Sequence, residues 1–334
     1  MRRSILGLAV VLAGCAASPP TTASAPTVTP SAPTATGDPT SAADPISLEG
    51  RILISDGGLY VANVDNTDRQ LVHAEGAYCC VNRLSPDGTR ILVMPGDDYT
   101  GAVRGGTLTT NGADFALLPQ PDDSLNLVPS AWSPDGTRIA FEGWDNSDPA
   151  RNGIYTAVAA DVSDLVRVTT RPGLPHDSPL DYSPDGTQLV FYRAVRAEPD
   201  FPIDIGGWLW VATVDGSDAH PLNTGDVNPW WQARWSPDGS KILFGEERLQ
   251  PTGALWTVEP DGSNLTKVFE DPNGGFANSP VWSPDGSQIM FSLHPHSDYF
   301  EHPDNSIYVI NADGSGLTLV VDVPGYKYVT EWWE

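Results

Sequence analysis

Basic residues are scarce in this chain. Its 334 residues include 18 Lys and Arg against 43 Asp and Glu, which gives a formal net charge of −25 at pH 7. Such an excess of negative charge argues against nucleic acid or anionic lipid as a partner. It fits the solubility of an exported protein, and it leaves open a cationic partner or bound Ca²⁺.

Cysteine is also rare, with three residues in the whole chain. No Cys-x-x-Cys motif is present, so the sequence offers no dithiol redox centre of that type. Cys79 and Cys80 are adjacent, and neighbours along a strand point to opposite faces of a sheet. We therefore expect a structural pair, either reduced or joined with a distorted backbone, rather than a redox-catalytic one.

The apolar stretch at the start of the chain is too short to span a bilayer. Two arginines and a short apolar run occupy residues 1–14, as in a secretion signal. Leu12-Ala13-Gly14-Cys15 resembles the bacterial lipobox and predicts that Cys15 is lipidated after cleavage. An ordinary signal peptide with a chance cysteine is the alternative. After Cys15, residues up to 48 are almost entirely Ala, Ser, Thr and Pro, which predicts a disordered tether over 15–48.

A motif built around Ser-Pro-Asp-Gly occurs five times. The copies begin at Leu84, Trp132, Tyr182, Trp235 and Trp282, and their spacing of about 50 residues indicates a repeat architecture. Proline fits the second position of a type I turn, and glycine suits the position where the chain turns left-handed. An apolar run follows each copy, so each motif is expected to join two strands of a hairpin.

A second turn signal follows the first, most clearly in three of the repeats. Asp-Gly-Ser follows a strand-like run, as in Leu209–Ser217, and Asp-Gly between alternating apolar residues favours a hairpin. Two hairpins per repeat predict four antiparallel strands, which is one blade of a β-propeller. Residues 51–65 supply strands two and three of a first blade, and a Trp pair lies one repeat after the fifth motif. The sequence therefore predicts an all-β, six-bladed propeller over 49–334, closed by the C-terminal strand in the first blade.

The Trp-Ser-Pro-Asp-Gly-x-x-Ile-x-Phe pattern resembles the propeller repeat of the bacterial periplasmic TolB group. The resemblance covers residues 49–334 and implies a TolB-like fold and a role in binding protein partners. TolB has an α/β domain ahead of its propeller, and we expect no counterpart of that domain here. Because one fold hosts many activities, the function has to be argued from the site itself.

The predicted propeller has two different faces. The Ser-Pro-Asp-Gly and Asp-Gly-Ser turns form a short, repetitive turn face, whereas longer and more variable connections form the opposite loop face. Variable loops on a rigid frame commonly carry function, so ligand-binding residues are expected on the loop face. The candidates are aromatic residues that could stack on a sugar or peptide and carboxylates that could hold Ca²⁺: Trp144, Asp177, Asp181, Trp230, Trp231, Tyr299 and Glu331.

Two qualifications apply to these candidates. Trp230 and Trp231 could instead pack between blades, and the carboxylates could be solvated rim charge. Asp181 and Glu331 directly precede signature aromatics, so both are expected to point toward the central channel.

Three histidines in nine residues, His294, His296 and His302, are candidates for a transition-metal site. Their spacing matches no metal motif, and the prolines around them predict a rigid surface loop. No cofactor is expected, with Ca²⁺ as the open option.

The function predicted from these features is that of a binding module. A lipid-anchored, monomeric propeller on the extracytoplasmic side of a bacterial membrane would present its loop face to an envelope protein, peptide or glycan. No Gly-x-Ser-x-Gly nucleophile elbow and no other complete catalytic motif is present. The alternative is a channel-based, metal-dependent lyase or hydrolase acting on an envelope or extracellular substrate, with His176, His294 or His296 at the metal.

Overall fold

The computed structural model describes residues 49–74, 78–95, 105–171, 177–194, 207–246, 253–295, 304–322, 325 and 327–334. These residues form six four-stranded antiparallel sheets and one turn of 3-10 helix at Pro149–Arg151. The predicted all-β, six-bladed propeller is therefore confirmed. In the described ranges, no helix has the length and apolar character needed to cross a membrane.

The strands are arranged in chain order around the ring. Blade 1 contains β1 (Arg51–Asp56), β2 (Gly58–Asn63) and β3 (Gln70–Ala74). Blade 2 contains β4 (Tyr78–Leu84), β5 (Arg90–Pro95), β6 (Gly106–Thr109) and β7 (Phe115–Leu117). Blade 3 contains β8 (Asn126–Trp132), β9 (Arg138–Trp144), β10 (Gly153–Val158) and β11 (Val166–Arg167). Blade 4 contains β12 (Asp177–Tyr182), β13 (Gln188–Ala194), β14 (Gly207–Thr213) and β15 (Ala219–Pro221). Blade 5 contains β16 (Pro229–Trp235), β17 (Ile242–Glu246), β18 (Leu255–Val258) and β19 (Thr266–Phe269). Blade 6 contains β20 (Phe276–Trp282), β21 (Gln288–His294), β22 (Ser306–Asn311) and β23 (Thr318–Val321).

The last strand, β24 (Lys327–Trp333), closes the ring as the innermost strand of blade 1. It pairs antiparallel with β1, with Trp332 opposite Ile52. The Trp332 side chain is buried, and its indole N–H donates to the carbonyl oxygen of Glu49 at 2.9 Å. The predicted closure by the C-terminal strand is thereby confirmed, and the first and last described segments of the chain share one sheet.

The signature turns are held by side-chain hydrogen bonds. In blade 5, the Ser236 hydroxyl donates to Asp238 at 2.6 Å, and the backbone N–H of Ser240 donates to the same carboxylate oxygen at 3.0 Å. The other four copies repeat this pattern. The turns also contact each other, since a Cβ added to Gly239 would lie 3.6 Å from Pro184 of the preceding blade. The motif therefore forms both a hairpin turn and a blade-to-blade contact.

The core lies between the blades. Phe141, Phe191, Phe244 and Phe291 are fully buried at the same position of the second strand in blades 3 to 6. Each ring contributes about 1.5–3 kcal/mol through burial. The run after each signature turn is apolar throughout rather than alternating, because both faces of a blade are covered by neighbouring blades.

Every innermost strand has a bulge shortly before its signature residue. In β12, Leu180 is the extra residue between the Pro179 and Asp181 pairs. In β24, Thr330 is the corresponding extra residue, just before Glu331. A bulge disrupts the ladder locally and changes the direction of nearby side chains. The six bulges therefore set the orientation of the residues that follow them.

Candidate functional site

Six residues from the innermost strands occupy one equivalent position around the central channel. Each directly precedes the signature residue and pairs with the middle of the apolar run in the second strand. We call this set the channel ring; from blade 1 to blade 6 it comprises Glu331, Arg83, Ala131, Asp181, Arg234 and Val281. The order is acidic, arginine and small apolar, repeated twice, so residues of like chemistry lie on opposite blades.

The two arginines of the channel ring repeat this twofold pattern in their contacts. Arg83 of blade 2 donates to the carbonyl oxygen of Leu180 in blade 4 at 2.6 Å. Arg234 of blade 5 donates to the carbonyl oxygen of Thr330 in blade 1 at 2.7 Å. Each guanidinium thus reaches past one blade to the bulge carbonyl of the next. The two side chains bridge blades that do not pack on each other, which brings the ring residues into one charged layer.

The two carboxyl groups also occupy matching environments. Asp181 accepts a hydrogen bond from the backbone N–H of Trp235 at 2.9 Å, and Glu331 accepts one from the backbone N–H of Leu84. Burial raises the pKa of Asp181 to about 7, with Arg83 opposing the rise. Burial likewise raises the pKa of Glu331 to about 7, again with Arg83 opposing. Both groups therefore titrate near neutral pH, far above ordinary carboxyl groups.

The ion pairs of the channel ring do not follow the twofold pattern. Glu331 lies between both arginines, with Oε1 3.4 Å from Arg83 and 3.5 Å from Arg234. Asp181, which is one methylene shorter, has no Lys or Arg nitrogen within 4.0 Å among the described residues. Glu331 is thus paired within the ring, whereas Asp181 relies on a backbone N–H.

The channel ring lies close to the turn face. Asp181 is followed by one strand residue, Tyr182, and then by the signature turn. The opposite end of the same strand begins at Asp177, roughly 13 Å away at the usual rise of a strand. This differs from the sequence prediction, which grouped Asp181 and Glu331 with the loop face. The reason is that the innermost strands run from the loop face to the turn face, and the residue before the turn is nearly at their end.

At the loop-face end, the candidate Asp177 and two neighbouring carboxylates of the loops, Asp122 and Asp145, are paired with arginine. Asp177 is completely buried and accepts two hydrogen bonds from Arg193, at 2.8 and 2.7 Å. Asp122 and Asp145 both bind Arg151, with Asp145 at 2.8 Å. Asp122 is held ionised mainly by hydrogen bonds from Ser124, which lower its pKa to about 2. These carboxylates hold the described loops together, and Trp144, at the end of β9, is only partly exposed beside them.

The histidine hypothesis can be examined at one position only. His294 is 1% exposed and lies in β21, not in a surface loop, with its Nε2 3.4 Å from Asn305 and 3.5 Å from Asn278. His296 and His302 lie outside the described residues. Within the described part of the chain, no group of three or more His, Cys, Asp or Glu residues is arranged to hold a metal ion.

Other predicted positions fall outside what the structure describes. Cys15 and Tyr299 belong to undescribed segments, so lipidation and any stacking by Tyr299 stay predictions. Trp230 and Trp231 lie in β16, but their side chains are not described.

Sequence reasoning missed the two arginines of the channel ring. Arg83 and Arg234 occupy the position before the signature residue, where Asp181 was noticed. Aligning all six copies at that position would have shown the acidic–arginine–apolar order. The bulges that orient these side chains leave no comparable signal in the sequence.

Comparison with known structures identifies the fold. TolB from Acinetobacter baumannii superposes with a TM-score of 0.63 at 15% identity, over 85% of this chain and 66% of that protein. A putative TolB from Agrobacterium tumefaciens gives 0.60 at 19% identity, over 86% of this chain and 99% of the other. An oligogalacturonate lyase in complex with manganese gives 0.55 at 13% identity, over 79% and 70%. No protein-family model and no curated protein matches the chain. The similarity establishes a TolB-like six-bladed propeller and, at these identities, the fold alone.

Proposed function

We propose that this protein is a binding module of the bacterial cell envelope that holds a protein partner over one mouth of its central channel. The observation that carries the proposal is the channel ring, in which four charged side chains from four blades form one layer around the axis. The TolB-like fold supports a role in protein binding. A polar layer at the centre of a rigid ring is suited to recognising a projecting segment of a partner.

The N-terminal sequence supports the proposed location. A lipidated Cys15 and the Ala/Ser/Thr/Pro tether up to residue 48 would place the propeller on the extracytoplasmic side of a membrane, at a distance set by the tether. Substitution of Cys15 by Ser is expected to release the protein into the soluble fraction of the cell. A membrane-bound Cys15→Ser protein would contradict lipid anchoring and leave the binding role untouched.

Site-specific photo-cross-linking tests the binding role and identifies which face of the propeller contacts the partner. A benzoylphenylalanine is placed at Asp123 on the loop face, at Lys241 on the turn face or at Leu319 on the outer edge of blade 6, all of them exposed. A partner over a channel mouth is expected to cross-link from one face and not from Leu319. Cross-linking from Asp123 supports the loop face, and cross-linking from Lys241 supports the turn face. Equal yields from all three positions, or none from either face, would contradict the proposal.

The alternative of a metal-dependent lyase or hydrolase has one observation in its favour, the superposition on an oligogalacturonate lyase that holds manganese. Metal analysis of the purified protein separates the two functions. Stoichiometric transition metal, lost on substitution of His294 and His296, would favour the enzyme over the binding module.

A further inference from the structure

We propose that Asp181 is the binding site for the ammonium group of a lysine side chain on a partner protein, which enters the channel from the turn face. This inference rests on the proposed binding function and names the chemistry that the partner would present. It concerns the one charged member of the channel ring that is not paired with another side chain.

The first argument is the pairing of charges within the ring. Glu331 already occupies the position between Arg83 and Arg234, so the two guanidinium groups have an internal anion. A further anion would have to displace Glu331. Asp181 has no cation within ion-pair distance among the described residues, although it belongs to the same layer. A cationic ligand would therefore give Asp181 the ion-pair partner that the described ring does not supply.

The second argument comes from polar atoms without partners. The side-chain carbonyl oxygens of Asn82 and Gln232 are buried and accept no hydrogen bond within the described structure. Two donors of Arg234, Nε and Nη1, are also buried and unpaired there. Asn82 adjoins Arg83, and Gln232 lies two residues before Arg234. Buried groups of this kind are normally satisfied by protein, water or ligand. A peptide offers both the N–H donors and the carbonyl acceptors that these atoms lack.

The third argument is the charge of the turn face. The signature turns place one aspartate from each of blades 2 to 6 close to the channel mouth, and hydrogen bonds from neighbouring Ser and Thr residues lower the pKa of each. Those aspartates are Asp87, Asp135, Asp185, Asp238 and Asp285. Their ionised carboxylates produce a negative potential that attracts cations toward the mouth. Since Asp181 lies only two residues before the turn, the four-carbon stem of a lysine is long enough to reach it.

Binding of this kind depends on pH with a defined sign. The charged groups that act on Asp181 are Arg83 and Glu331, and the pKa of Asp181 itself is raised to about 7 by burial. A lysine ammonium stays charged from pH 6 to 8 and pairs with the ionised carboxylate. Affinity is therefore expected to increase as the pH rises through 7, and binding should lower the pKa of Asp181.

The test uses a matched pair of probes on the full-length protein. The first probe is Nα-acetyl-lysine N-methylamide, and the second is the same molecule with its side-chain nitrogen also acetylated, which keeps every amide and removes the charge. Calorimetric titration at pH 6 and pH 8 compares their affinities, and ¹³C NMR of the aspartate carboxyls follows the titration of Asp181. Three variants accompany the wild type: Asp181→Asn, Asp181→Glu and, as a control that removes one exposed negative charge outside the channel, Asp123→Asn.

We expect the charged probe to bind the wild type more tightly at pH 8 than at pH 6, and the acetylated probe to bind at least tenfold more weakly. Asp181→Asn should weaken the charged probe on the order of ten- to a hundredfold, the range of a charge-assisted hydrogen bond. Asp123→Asn should change the affinity less than about twofold because an exposed charge acts weakly at a distance. Asp181→Glu keeps the charge but makes the side chain as long as that of Glu331, which reaches the arginines. A glutamate at 181 should therefore pair with arginine instead of the probe, and this variant should also bind the charged probe weakly.

Equal affinity of the charged probe for wild type and Asp181→Asn would overturn the proposal. So would equal binding of the two probes, or no binding of the charged probe by the wild type. If a channel-mouth partner still cross-links to Asp181→Asn as it does to the wild type, the binding module stands and only the lysine site is lost. If neither face of the wild type cross-links, the proposed function itself has failed.

Discussion

The acidic residues inside this propeller differ in how well neighbouring cations balance their charge. Asp177 and Glu331 have arginine partners, whereas Asp181 is partly buried and has a backbone N–H as its hydrogen-bond donor. Burial raises the pKa of both Asp181 and Glu331 to about 7, because it penalises the charged form. The cost of substitution should therefore separate the ion-paired residues from Asp181 experimentally.

Asp181→Asn is expected to remove a pH dependence from the stability of the protein. The pKa of Asp181 is raised from 3.8 to about 7 in the folded state, so the folded protein holds a proton that the unfolded chain releases. Asp181 therefore costs the wild type stability as the pH rises from about 4 to about 7, and the Asn variant lacks this contribution while it keeps that of Glu331. Urea unfolding of both proteins at pH 5 and pH 7.5 measures this difference in stability. The variant should gain stability relative to the wild type at the higher pH, and a relative loss there would contradict the raised pKa of Asp181.

Arg193→Lys is expected to cost about 2–3 kcal/mol of folding free energy, despite conserving the charge. Arg193 donates two hydrogen bonds to the fully buried Asp177, and its guanidinium carbon lies 4.2 Å from the centroid of the Trp210 ring. A lysine cannot reproduce the two parallel bonds, so one carboxylate oxygen loses its partner.

The control for this prediction is Arg51→Lys. Arg51 and Asp68 form an exposed pair with one contact of 3.1 Å, and the substitution should cost less than about 0.5 kcal/mol. Equal costs at the two sites would show that the buried pair at Asp177 contributes no more than a surface ion pair. Urea midpoints of the two variants supply the comparison.

At the scale of the element, the two kinds of turn connect neighbouring blades differently. Signature-turn glycines such as Gly239 face a proline of the preceding blade at ordinary contact distance. Glycines of the second turn lie against backbone: a Cβ added to Gly112 would fall 2.1 Å from the carbonyl oxygen of Val72, in the outer strand of blade 1. A side chain at the glycine of the second turn would therefore collide with the backbone of the preceding blade. At the signature turn, the left-handed backbone conformation alone disfavours a side chain.

Gly112→Ala should be far more destabilising than Gly239→Ala. The two residues have nearly the same φ, +72° and +73°, so the left-handed backbone costs each alanine the same, about 1 kcal/mol. The alanine at 112 must also push away the Val72 carbonyl, which should add about 2 kcal/mol or more. Thermal and urea unfolding of both variants give the difference. Equal destabilisation would mean that the outer strand of blade 1 can move away from the alanine methyl group at little cost in free energy.

The same elements show what the sequence could and could not predict. Turn residues at a fixed spacing specified the hairpins, the blade count and the closing strand, because a type I turn and an Asp-Gly hairpin depend on local chemistry. Arg83 and Arg234 were not recognised, since their contacts with Leu180 and Thr330 depend on bulges and on distant blades. The burial of His294 in β21 was missed because the prolines that follow it favoured a loop.

At the scale of the whole molecule, stability depends on joining the two ends of the ring. β24 supplies the innermost strand of blade 1 and contributes Val329 and Trp332 to the core between blades 6 and 1. Without this strand, β1 has an open edge and Glu331 is missing from the channel ring. Removal of residues 327–334 is therefore expected to abolish cooperative unfolding, whereas removal of residues 1–48 should leave the melting temperature of the propeller unchanged within about 2 °C.

A rearranged chain tests whether the position of β24 at the C-terminus matters. Trp333 and Gly50 are adjacent in space, since a Cβ on Gly50 would lie 2.3 Å from the Trp333 carbonyl oxygen. Residues 327–334 can thus be joined ahead of Glu49 through a linker of about four residues, the length of an ordinary hairpin turn. This variant keeps every pairing in blade 1, and we expect it to unfold cooperatively, like the wild type. Failure to fold, while the original order folds, would show that closure by the chain end has a role beyond strand pairing.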